Sequence, residues 1–60
     1  MRTIASCVEE ILVAQPFLEE ALSRSIINYS ALAEELQRPI GAMLRKEVKS
    51  GAIMMALRRY

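Results

Sequence analysis

The sequence predicts an all-α fold, a compact bundle of four or five short helices with helix-turn-helix character. Three observations predict it. Apolar residues recur at three- and four-residue spacing along nearly the whole chain, the period of an amphipathic helix. No stretch alternates apolar and polar residues for long, which leaves only residues 26–27 or the neighbourhood of Val48 as room for a short strand. Pro16, Pro39 and Lys49-Ser50-Gly51 cut the helical pattern into short lengths.

The first helix opens after Thr3, whose hydroxyl can accept from an orphan amide of the first turn. Ile4, Val8, Ile11 and Leu12 form its apolar stripe, widened by Cys7 and Ala14, with Glu9 and Glu10 on the opposite side. It stops near Gln15, because Pro16 lacks an amide hydrogen and pushes its predecessor out of the α region. Pro16 suits the first position of a second helix, which runs to about Arg24. Phe17, Leu18, Ala21 and Leu22 are its expected core side, while Glu19 and Glu20 sit in the first turn, where the dipole favours acids.

Residues 25–28 read as a connector, with Asn28 the expected N-cap of a third helix and Ser30 the alternative. That helix covers residue 29 to about residue 37, on a stripe of Tyr29, Leu32, Ala33 and Leu36. Pro39 is expected to close it and to open a further helical stretch carrying Ile40, Met43, Leu44 and Val48. Gly41 weakens that stretch by about 1 kcal/mol relative to Ala. After the break at 49–51, Ser50 can cap a last helix whose core side is Ala52, Ile53, Ala56, Leu57 and Tyr60.

Sixty residues allow one domain with a marginal core, since a chain of this size buries only about 60% of its unfolded surface. A single cysteine rules out an internal disulfide, and one Cys with no His leaves too few soft ligands for zinc. Support must come from efficient helix packing, another copy, or a second domain. The chain stops on Arg58-Arg59-Tyr60 straight out of an apolar helix, so a C-terminal partner domain is an expectation. No apolar run approaches the roughly 20 residues of a membrane span, and no signal peptide is visible. With its one thiol taken as reduced, the chain is expected in the cytoplasm.

Charge is sorted along the chain. Residues 1–37 hold six acids against two bases, net −4; residues 38–60 hold six bases against one acid, net +5. The acids fall in three Glu-Glu pairs that serve as solvated helix faces, because adjacent helical positions point about 100° apart. Without His or Asp, no Ser-His or Cys-His dyad can be written, and Gly41 and Gly51 stand alone rather than in a phosphate loop. No enzyme, cofactor or metal is expected. Cys7, on the apolar side, reads as a small buried hydrophobe.

Two clusters remain as candidate sites. Arg45, Lys46 and Lys49 precede the last helix, and Arg58 and Arg59 lie in its final turn. Together they form a candidate stripe of phosphate contacts for duplex DNA. The helix dipole alone accounts for Arg58 and Arg59, but less well for the other three. No aromatic is interleaved with these bases, so stacking on single strands is not expected. The second cluster is Ile53, Met54, Met55 and Tyr60 on a helix apolar almost all round, either the central helix of the bundle or a contact for another copy or an absent domain.

Residues 30–36, Ser-Ala-Leu-Ala-Glu-Glu-Leu, resemble the first helix of many helix-turn-helix domains, with Ala33 small enough for a close helix crossing. The usual short turn is replaced by residues 37–49, and the following helix shows mainly Ala, Ile and Met where base-reading polar groups belong. More broadly, Gln15-Pro16-Phe17-Leu18-Glu19-Glu20-Ala21-Leu22, then residues 27–33, then Gly51-Ala52-Ile53-Met54-Met55-Ala56-Leu57-Arg58-Arg59 resemble a group of small uncharacterised prokaryotic proteins. In these a short helix-turn-helix-like region precedes a ligand-sensing domain of the ACT type. The resemblance implies a regulatory role and carries over no functional residue. The expected function is a non-enzymatic regulatory module with a nucleic-acid role, the alternative a helical self-association or docking module without one.

Overall fold

The computed structural model describes residues 2–60, which fold into four helices: α1 (Ile4–Val13), α2 (Pro16–Ser23), α3 (Tyr29–Leu44) and α4 (Ser50–Arg59). No strand forms among the described residues, so residues 26–27 and Val48 lie in loops. The four helices measure 31 × 20 × 17 Å together, and none is long and apolar enough to cross a membrane.

Local chemistry sets most of the helix starts. Thr3 caps α1 as expected, and Ser6 answers it: each side-chain oxygen accepts from the other residue's amide, at 3.0 and 2.9 Å. This reciprocal box satisfies two orphan donors at once. Pro16 occupies the first position of α2, and the Asn28 side chain accepts from the Ala31 amide at the start of α3. The last helix departs from expectation, since Lys49 is its N-cap residue and Ser50 already its first helical residue, with no side-chain cap.

The largest correction falls at Pro39. It does not end the third helix; α3 continues through it to Leu44. The apolar stripe explains why. Leu36, Ile40 and Leu44 follow at four-residue spacing, and Ile40 is fully buried, so ending at Pro39 would forfeit that burial. Pro39 lies on the exposed side, where the carbonyl it leaves without a donor can turn to water.

One core joins all four helices and the loop before α4: Cys7, Val8 and Leu12; Leu22; Leu32, Ala33, Leu36 and Ile40; Val48; Ile53 and Leu57. The helix α4 packs on both α3 and α1, whereas α2 packs on α1 alone. A helix with one neighbour buries a narrow stripe. Accordingly Leu22 is buried, Leu18 and Ala21 are half-buried, and Phe17, expected in the core, is 71% exposed. Cys7 is buried as expected, and the Glu-Glu pairs are exposed apart from half-buried Glu19.

Candidate nucleic-acid interface and docking groove

The continuation of α3 converts the thirteen residues expected between two helices into a five-residue turn, 45–49. Arg45 closes α3 in the left-handed region, at φ 57°, and its amide donates to the Gly41 carbonyl. The Lys46 amide donates to the same carbonyl at 3.1 Å, the six-to-one bond of a Schellman ending. Gly41 leaves room for this close approach, since a Cβ there would stand 3.1 Å from the Lys46 backbone oxygen. Buried Val48 anchors the far side of the turn, and Gln37 Nε2 donates to its carbonyl at 2.9 Å. A loop fixed at both ends therefore carries Arg45, Lys46 and Lys49 outward, all exposed.

None of these three cations, and neither Arg58 nor Arg59, forms an ion pair among the described residues. The two ion pairs present are Arg2–Glu10 at 3.6 Å and Arg24–Glu20 at 3.7 Å. The five candidate bases do not form one stripe. Arg45, Lys46 and Lys49 gather before the N-terminus of α4, and Arg58 and Arg59 lie in its last turn, about 15 Å away along ten residues of helix. Arg58 stacks over the Tyr29 ring at 5.7 Å, a cation–π contact that commits it partly to holding α4 on α3.

Arg59 faces a different surface. The helices α1 and α4 leave a groove between them, with Ile4, Ala52, Met55 and Ala56 on its walls and Lys46 and Arg59 on its rim. This location divides the second candidate cluster. Ile53 is fully buried and cannot touch a partner, and half-buried Met54 packs against the core. Only Met55, at 55% exposure, and Tyr60, at 48%, remain available. The over-apolar helix is thus central to the bundle on one side and open on the other. Tyr60 does not pack in the core; its hydroxyl donates to the Glu19 carboxylate. That hydrogen bond raises the phenol above its ordinary value, with burial and the negative charges of Glu19 and Glu9 adding to it.

The groove was not legible in the sequence, because residues 2–5, at and just before the start of α1, meet α4 only through tertiary packing. The exposure of Met55 was legible in part, as one methionine too many for a small core. Among the described residues no group of His, Cys, Asp and Glu could hold a metal ion. No family model matches the chain, and no curated protein or solved structure is significantly similar to it.

Proposed function

We propose that this chain is a non-enzymatic regulatory module that binds the phosphate backbone of duplex DNA through the turn between α3 and α4. The observation that carries the reading is the clustering of Arg45, Lys46 and Lys49, all exposed and without ion-pair partners, on a turn pinned by Val48 and Gln37. Each such cation gains affinity by releasing condensed counterions from the duplex. Before Arg58 and Arg59 in its last turn, the exposed side of α4 offers only Gly51, Ala52 and Met55, which cannot read base edges through donors and acceptors. Binding is therefore backbone-directed and weakly selective for sequence. The resemblance to helix-turn-helix-like regions that precede sensing domains supports the same regulatory reading.

The salt dependence of binding to a short duplex tests it. Three phosphate contacts predict about a 40-fold loss of affinity between 50 and 200 mM salt, and five predict about 500-fold. The slope therefore also reports whether Arg58 and Arg59 take part. No binding at low salt ends the proposal.

A second reading is favoured by the exposure of Met55 and Tyr60 beside the groove between α1 and α4: a docking surface for another protein.

A further inference from the structure

We infer that the groove between α1 and α4 receives an acidic amphipathic helix of a partner protein; this rests on the docking reading and shares only Lys46 with the DNA-binding turn. Its walls are apolar, from Ile4 on α1 and Ala52, Met55 and Ala56 on α4. Its rim carries Lys46 and Arg59, both without ion-pair partners among the described residues, and Arg2, which is paired with Glu10, against the single lining acid Glu9. An occupant must therefore bring apolar side chains between carboxylates.

The shape favours a helix. Ala52 and Ala56 stand four apart, where their small side chains let a third helix approach, and Met55 beside them is an adaptable contact. Lys46 precedes α4 and Arg59 ends it, so the two cations bracket about 15 Å of helix. That length takes apolar anchors at i, i+3 or i+4, and i+7, with a carboxylate near each end. A second copy docking groove to groove would bring like charges together at the rim, and DNA would find no hydrogen-bonding partner on the apolar walls.

The test uses two helical peptides with leucines at i, i+3, i+4 and i+7, one flanked by glutamates and the other by lysines, titrated into the protein by fluorescence anisotropy. The acidic peptide binds at least about tenfold more tightly than the basic one, and more weakly as salt rises. Met55→Asp lowers its affinity about tenfold or more. The double variant Lys46→Glu, Arg59→Glu reverses the preference between the peptides. All three positions reach the surface, and an unchanged circular dichroism spectrum keeps the variants interpretable. Arg45→Ala with Lys49→Ala leaves peptide binding intact while weakening DNA binding, which separates failure of this inference from failure of the DNA reading. Equal affinity for both peptides, no binding of either, or loss of DNA binding on Met55→Asp without peptide binding overturns it.

Discussion

Gln37 and Val48 are joined across the α3–α4 corner: the Gln37 amide donates to the Val48 carbonyl at 2.9 Å, in a half-buried position. With the Val48 side chain buried, this bond holds the far end of the cationic turn against α3. Gln37→Leu keeps the bulk and removes the donor, leaving a partly buried carbonyl to be satisfied by water. The expected cost is about 0.5–1.5 kcal/mol, measured by urea denaturation. Amide exchange in residues 45–49 should speed up by more than global destabilisation explains, because the turn loses a local tether.

Pro39→Ala should stabilise the fold. The proline lies inside α3 and is exposed, so its replacement restores a helical amide without touching the core. Proline inside a helix costs about 3 kcal/mol relative to Ala, part of which is returned by its smaller unfolded-state entropy. A gain of about 1–3 kcal/mol in chemical denaturation is expected. If α3 broke at this position, the gain would vanish.

Pro39 also shows where sequence reasoning reached its limit. Proline as a helix terminator is a local rule, and it was outweighed by Ile40, whose full burial is a tertiary fact. The caps at Thr3 and Asn28 were legible because a side chain three residues from its amide is a local geometry. Phe17 misled for the opposite reason: its spacing is right for a core face, but α2 has only one neighbour to cover it. The basic cluster was legible as charge. Its division between turn, Tyr29 ring and groove required α1, α3 and α4 to be placed together.

Ile53 and Met55 should separate cleanly by mutation, although both stood in the expected contact set. Ile53 is fully buried, so Ile53→Ala removes about 2–5 kcal/mol. A core of this size rarely supplies more than about 3–5 kcal/mol in total, so that variant should be largely unfolded by circular dichroism. Met55→Ala lies on the open side of α4 and should shift stability by no more than about 0.5 kcal/mol. Equal effects at the two positions would contradict the placement of α4.

The two glycines should respond to alanine with different signs. Nothing lies within 4 Å of a Cβ built at Gly51, so Gly51→Ala gains about 0.5–1 kcal/mol from reduced unfolded-state freedom and better helix propensity. At Gly41 the same propensity gain meets the Lys46 oxygen at 3.1 Å, a backbone atom of the residue whose amide closes the helix ending. Gly41→Ala should therefore give no gain or a net loss, read from paired melting curves.

Ser25 and Arg45 both end helices in the left-handed region, at φ 58° and 57°, a conformation glycine adopts without a Cβ penalty. After α2 the geometry is a full Schellman ending, with the Ile26 amide donating to Ala21 at 3.2 Å and the Ser25 amide to Leu22 at 3.0 Å. Ser25→Gly should thus stabilise by about 0.5–1 kcal/mol with no effect on binding. Arg45→Gly relieves the same backbone penalty and should raise the melting temperature similarly. It also removes one of the three cations of the turn, so duplex affinity should fall and the logarithmic salt slope should shrink by about 0.9. Stability and binding moving in opposite directions at Arg45, but not at Ser25, would mark the arginine as held for its charge at a local conformational cost. If Arg45→Gly leaves both affinity and slope unchanged, the turn does not contact phosphate through this residue.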